Sequence, residues 1–274
     1  MRRINLFSYG MMSLLKLFAR VLVIVFAVSL FQQAHSAQAV PVRPPHFDRR
    51  AMPEALAAPV RSPKGDAAKP APDWRFYVLE YHNFTENAAQ AADYTMTVSA
   101  LRRDLDFLRD NGYTTVLPRE LAAGQLDDGS PLPQKAVLLT FDDGYDDNNT
   151  NLLPLLQKYG MKVTIFLIAG DVGKRHKLTR EQISELVQSG LVSIQSHGWS
   201  HRNMANLPPL ELLLEMARSQ SAIAALTGRP HTALSYPNGS SNERVRKIAG
   251  WFYTYGVRTY AGVYVTGRDP LLIE

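Results

Sequence analysis

Two adjacent carboxylates, Asp142 and Asp143, close an unbroken apolar run that begins at Ala136. A continuous run of this kind reads as a fully buried strand of a parallel sheet. Side chains alternate along a strand, so neighbours at its end point in different directions. One carboxylate can therefore serve a metal while the other faces whatever the metal holds; the plainer reading is an acidic turn. A second polar strand end reads His197-Gly198-Trp199-Ser200-His201. Two His four positions apart share one face if helical, and a tight loop can also converge them. Neutral imidazole is a standard zinc ligand, and two His with one carboxylate leave a fourth position open. Alone, the pair reads more simply as two surface His; its place at a strand end, like that of Asp142-Asp143, favours the metal. Trp199 is a candidate aromatic wall of the cleft, or packing. A third strand end is Ser235-Tyr236-Pro237-Asn238-Gly239, where Pro fixes φ and Gly permits a sharp turn, so backbone N–H groups can be aimed.

These ends need a frame, and the chain from Trp74 alternates strand and helix. Phe76 to Tyr81 reads as a strand ending in Tyr81-His82-Asn83. Val98, Leu101, Leu105 and Leu108 recur at helical spacing after Thr97, a plausible N-cap, and Asn111-Gly112 stops the helix. Tyr113 to Leu117 is expected to be a strand. After Asp143 come a helix through Leu152, Leu153, Leu155 and Leu156 to Tyr159-Gly160, and an apolar strand over Lys162 to Ile168. Helix and strand pairs then cover Thr179 to Ser189 with Leu191 to Gln195, and Pro209 to Thr227 with Thr232 to Tyr236. The last pair is Ser241 to Ala249 with Trp251 to Val257. Repeated βα units of this length imply an α/β fold with a parallel sheet, open or closed into a barrel.

The 274 residues suffice for one large α/β domain after a leader. Arg2, Arg3, Lys16 and Arg20 precede the apolar run Val21 to Phe31, and Ala37-Gln38-Ala39 follows. That is the pattern of a signal peptide, residues 1–39, with an uncleaved anchor as the lesser alternative. The run falls short of the about 20 residues a bilayer span needs. Residues 40–73, rich in Pro and Ala, read as a disordered linker before a domain at 74–274. Residues 1–73 hold ten Lys/Arg and four Asp/Glu, against 20 and 21 in the remainder, so the net charge of +5 belongs to the leader and linker. Nucleic acid is accordingly not expected as a partner, and membrane contact is expected only through the leader. The protein is expected to be exported, to the periplasm, the cell envelope or the medium, and to act as a monomer. The chain has no Cys, so neither disulfides nor a thiolate nucleophile enter.

Together the three strand ends resemble the polysaccharide deacetylase family, the NodB-homology or carbohydrate esterase 4 group. Thr140-Phe141-Asp142-Asp143-Gly144 is similar to its first motif in full. His197-Gly198-Trp199-Ser200-His201 resembles the second, H-[ST]-x-x-H, with Gly198 in place of Ser/Thr. Ser235-Tyr236-Pro237-Asn238-Gly239 resembles the third, R-x-P-[YF]-G, with Ser235 in place of Arg. The resemblance covers about residues 75–274. It implies a distorted (β/α)7 barrel and metal-dependent deacetylation of a polysaccharide. It further implies Asp143, His197 and His201 as ligands of one divalent metal, zinc first, with nickel, cobalt or iron able to occupy such a site. Asp142 is implied as general base, and the backbone N–H of Asn238 as an oxyanion donor. Tyr145, Trp199, Tyr236 and Pro237 complete the expected substrate-binding set.

Two departures stand out. Ser235 cannot reproduce the bidentate contact by which the family's Arg orients the base. The family's last motif, L-x-H, carries the general acid, yet no His follows His231. The run Asp269 to Glu274 resembles an incomplete final strand, which suggests a truncated chain. Tyr81-His82-Asn83 instead resembles the Y-H element on the first strand of the poly-β-1,6-N-acetylglucosamine deacetylase branch, and residues Thr95 to Thr115 resemble that branch's N-terminal part. Of seven His, His35 and His46 lie before the domain, His197 and His201 are assigned to the metal, and His176 sits in a Lys/Arg-rich loop. His231 lies before its strand, opposite the cleft. His82 is thus expected to be the general acid. The expected reaction is amide hydrolysis of N-acetylglucosamine residues in an extracellular or cell-wall polysaccharide. The alternatives are a catalytically impaired glycan-binding domain and O-deacetylation of acetylated xylan. A D-x-D phosphatase motif and a calcium loop both fail on the residues around Asp142 and Tyr145.

Overall fold

The computed structural model describes residues 75–229, 231–259, 263–265 and 267–274. The expected leader and linker lie outside these residues. Seven strands run parallel: β1 (Arg75–Tyr81), β4 (Thr114–Thr115), β5 (Ala136–Asp143), β6 (Val163–Leu167), β7 (Val192–Ser196), β8 (Ala233–Ser235) and β9 (Tyr255–Val257). β10 (Val263–Val265) adds antiparallel to β1, and the order is β10-β1-β5-β6-β7-β8-β9, with β4 against the start of β5. A separate parallel pair joins β2 (Asn83–Thr85) to β3 (Thr95–Thr97). The sheet is curled as a distorted (β/α)7 barrel, with the helices α1 (Val98–Asp110), α2 (Pro118–Ala123), α3 (Leu153–Tyr159), α4 (Arg180–Gln188), α5 (Pro209–Thr227) and α6 (Glu243–Ala249). Among the described residues no helix is long and apolar enough to cross a membrane.

Local chemistry sets the helix ends. The Thr97 hydroxyl accepts the Ala100 N–H at 3.1 Å, capping α1. Thr179 and Gln182 cap α4 reciprocally. Two expectations need correction. The strand expected at Tyr113 to Leu117 is only Thr114–Thr115, because Pro118 at the first helical position turns the chain into α2. The strand expected from Trp251 starts at Tyr255, since Trp251 and Phe252 still close the turn after α6 by donating their N–H groups to the Ile248 and Ala249 carbonyls.

The strand period of two divides the core and aims the site. On β5, Val137, Leu139 and Phe141 pack outward with Leu101, Leu105, Ile165, Leu167, Ile183 and Ile194. The intervening Ala136 and Leu138 pack inward with Phe76, Phe166, Ala233 and Val257. Continuing the inward file along β5 reaches Thr140 and then Asp142. The same parity turns Val78, Glu80 and His82 inward from β1, Gln195 and His197 from β7, and Ser235 from β8. The carboxyl ends of these strands therefore carry polar groups on the inner face above an apolar floor, where α/β proteins build their sites.

His231, before β8, is buried, and burial holds its pKa down at about 4, against a smaller opposing contribution from the Arg229 backbone. Above pH 6.5 an imidazole is neutral in both folded and unfolded chains. Between about 6.5 and 4 the unfolded chain takes up a proton that the folded chain does not, so this residue makes stability fall on acidification, by on the order of 3 kcal/mol. Urea unfolding at pH 7 and 4.5 is expected to show a smaller acid loss for His231→Gln than for the unaltered protein. An unchanged pH dependence refutes the assignment.

Candidate active site

β5 ends with its two carboxylates divided. Asp143 adopts φ 72°, and Gly144 follows at φ 66°. A Cβ at Gly144 would lie 2.4 Å from a Leu167 methyl and would be strained at this positive φ, both of which favour glycine in this turn. The turn presents Asp143 Oδ1 to two imidazoles: His197 Nε2 at 3.6 Å and His201 Nε2 at 3.5 Å. His197 Nδ1 donates to the Ser235 carbonyl at 2.9 Å, which leaves Nε2 with its lone pair toward Asp143. Burial lowers the pKa of His197 and of His201, so both favour the neutral form a metal needs. Asp143 Oδ1 is buried without a hydrogen-bond partner. One donor atom from each of Asp143, His197 and His201 lies within 4.8 Å of the others. An orphaned carboxylate oxygen beside two free imidazole nitrogens fits a divalent metal.

Asp142 is 3% exposed and stays out of that ligand set. Its Oδ2 accepts the Ser235 hydroxyl at 2.8 Å and lies 3.7 Å from His197 Nε2, while its Oδ1 has no partner. Ser235 thus provides one neutral hydrogen bond where an Arg would provide two charged ones. Burial pushes Asp142 up to about 8; the Ser235 bond opposes this and the charge of Asp143 adds to it. A cation beside Asp143 acts in the opposite sense and favours the carboxylate.

His82 follows β1 and reaches the same mouth. Asn148 Nδ2 donates to its carbonyl at 3.1 Å, and Asp147 Oδ2 accepts the Phe84 N–H at 2.6 Å, so the turn after Asp143 clamps the His82 loop. The exposed Tyr94 ring stands edge-on to the imidazole with centroids 4.8 Å apart. Burial lowers the His82 pKa; the charge of Asp143 works against it, and His197, His201 and Lys177 with it. Glu80, two residues earlier on the same inner file, places Oε1 3.8 Å from His82 Nε2. Burial, then the charges of Asp142 and Asp143, push Glu80 up to about 7.

The remaining expected residues divide. Tyr145 lies at the site: the Lys177 ammonium sits 3.6 Å from its ring centroid, and burial followed by the charge of Asp143 and a hydrogen bond to it raise its pKa to about 12. Lys177 also donates to the Asp143 carbonyl at 3.3 Å and approaches Oδ2 at 3.9 Å. Asn238 is exposed in the left-handed conformation, next to the buried Pro237. Tyr236 must be withdrawn as a substrate contact. Its side chain is fully buried on the outer face, with its hydroxyl donating to the Leu271 carbonyl at 3.2 Å. Trp199 is half-buried, with its indole against Gly170, the Arg218 guanidinium over its ring at 6.0 Å, and the apolar core behind.

Sequence reasoning missed Glu80, Asp147, Asn148, Lys177 and Glu215. Glu215, on α5, accepts the Trp199 and Ser200 N–H groups at 3.0 and 2.9 Å and the Ser200 hydroxyl, fixing the loop that carries both His. Glu80 alone had a local signal, a carboxylate in an otherwise apolar strand, two residues before His82.

The chain is similar to known proteins. A family model described as polysaccharide deacetylase matches residues 129–252. The putative polysaccharide deacetylase YxkH of Bacillus subtilis (strain 168) is 34% identical over 238 residues, covering 84% of this chain and 80% of that protein. The poly-beta-1,6-N-acetyl-D-glucosamine N-deacetylase of Escherichia coli (strain K12) is 32% identical over 149 residues, 49% of this chain but 22% of its own length. The solved structure of Streptococcus pyogenes deacetylase PplD in complex with acetate aligns with a TM-score of 0.66 at 26% identity, covering 73% of this chain and 90% of that one.

Proposed function

The chain belongs to the polysaccharide deacetylase family, and from that premise we propose that it hydrolyses the acetamide of N-acetylglucosamine residues in an exported or cell-wall polysaccharide. The observation that carries this reading is the separation of roles in one cluster at the carboxyl ends of the strands. Asp143 converges with His197 and His201, while Asp142 stands beside them, bonded only to Ser235. Asp143, His197 and His201 would hold a divalent cation, zinc first, which would supply Lewis acidity there. Asp142 accepts the proton of the attacking water, and Ser235 keeps its carboxylate aimed. The Asn238 N–H lies in the turn after β8 and serves as a donor to the developing oxyanion. His82 delivers a proton to the nitrogen as the C–N bond breaks, leaving acetate and a free amine. The likeness to a poly-β-1,6-N-acetylglucosamine deacetylase favours a β-1,6-linked glucosamine polymer as substrate, and the leader pattern favours action outside the cytoplasm.

The test is acetate release from acetylated β-1,6-glucosamine oligomers by the purified protein, with metal content measured in parallel. Activity is expected to vanish on chelation and return with zinc. His197→Ala and His201→Ala are expected to weaken metal binding by more than the roughly 10–100-fold typical of losing an outer partner. Undiminished metal in both variants overturns the ligand assignment. Full metal without acetate release from any acetylated glycan leaves a glycan-binding domain instead.

A further inference from the structure

The inward parity that delivers Asp142 also delivers Glu80 and His82 from the neighbouring strand, since Glu80 pairs with Thr140 in the β1–β5 register. One donor atom from each of Glu80, His82 and Asp142 lies within 4.8 Å of the others, and Glu80 Oε1 stands 3.8 Å from His82 Nε2. Donors about 2.1 Å from a shared ion lie up to about 4.2 Å apart, so the three need only small side-chain movements to share one. The Asp142 side chain is 4% exposed, and its Oδ1 is buried with no hydrogen-bond partner, although Ser235 occupies Oδ2. A buried, orphaned carboxylate oxygen beside a second carboxylate and an imidazole is unusual unless something positive visits. The nearby ammonium, Lys177, is engaged with Asp143 and Tyr145. No residue of this group belongs to the Asp143, His197 and His201 set.

We propose that Glu80, His82 and Asp142 form a second divalent-cation site, suited by its two oxygens and one nitrogen to zinc or a similar borderline ion. It is the weaker of the two, because its ion enters beside the charge of the first. Its occupation is inhibitory, a consequence that rests on the deacetylase reading: an ion held there takes the lone pairs of both the proposed base and the proposed acid. Zinc thus activates at the first site and stops turnover at the second.

Zinc titration of metal-free protein by calorimetry, with acetate release measured at each step, tests this. The unaltered protein is expected to bind two equivalents in two phases, with activity rising over the first and falling on the order of 10²-fold over the second. Glu80→Gln and His82→Asn are each expected to keep the first phase and lose the second. Glu80→Gln, compared with its own activity at one equivalent, is expected to escape inhibition by excess zinc. Thermal unfolding of the variants checks that they fold, and Glu80→Ala replaces Glu80→Gln if that variant does not. A single phase in the unaltered protein, or two phases surviving in both variants, overturns the site. Two phases with no acetate release at one equivalent overturn the deacetylase reading and leave the second site standing.

Discussion

Replacing Asp142 by Asn is expected to lower acetate release on the order of 10²- to 10⁴-fold while the protein keeps its first metal equivalent. The two neighbouring carboxylates do different work because the strand period sends them different ways. Asp143 Oδ1 meets His197 and His201 at 3.6 and 3.5 Å, whereas Asp142 is held by Ser235. An amide has nearly the shape of the carboxylate and can still accept the Ser235 hydroxyl, so the fold has little reason to change. What is lost is a proton acceptor. A base must be ionised to act, so activity in the unaltered enzyme falls as pH drops through the Asp142 pKa, and this acid-side limb is expected to vanish from the residual activity of Asp142→Asn. Asp143→Asn is the contrasting case, expected to lose metal and activity together. Equal metal loss in the two variants means that their roles have been wrongly divided.

His82→Ala is expected to lower kcat by on the order of 10²-fold or more with a much smaller change in KM, and to remove the limb of the pH–rate profile that falls as pH rises. The direction follows from the role: an acid must be protonated, so activity is lost as pH climbs through its pKa. Position supports the role, since Asn148 clamps the His82 carbonyl and the ring faces the mouth beside Glu80 and Tyr94. The first metal equivalent is expected to survive, because His82 is not among its ligands. A variant with the original pH profile and rate places the acid elsewhere, and Glu80 is then the nearest other proton donor.

Much of the frame is legible in the chain because its signals are local. The apolar run into Asp142-Asp143 contains its own strand, its own end and its own chemistry. Thr97 before Val98 and Thr179 before Arg180 are caps that act within one turn of their helices. Two histidines four residues apart are a local signal, although Glu215 and the Ser235 carbonyl, both distant in sequence, hold the loop and orient His197. The short elements were less legible. Thr114–Thr115 exists as a strand only because Ala136 and Val137 pair with it.

Taken alone, the sequence determined which residue types stand at the ends of which strands: Asp142 and Asp143, His197 and His201, Ser235, and His82. It could not determine which neighbour on each strand faces in, because parity takes its meaning from the sheet's two faces and from the strands alongside. Tertiary structure decided that Ser235 meets Asp142 while Tyr236, one residue on, is buried on the outer face with its hydroxyl on Leu271. It also brought Glu80 beside His82 and Asp142, and Lys177 to Asp143, across sequence separations that no local pattern spans. A one-residue step on a strand reverses the direction of a side chain, and only the assembled barrel says which direction is inside.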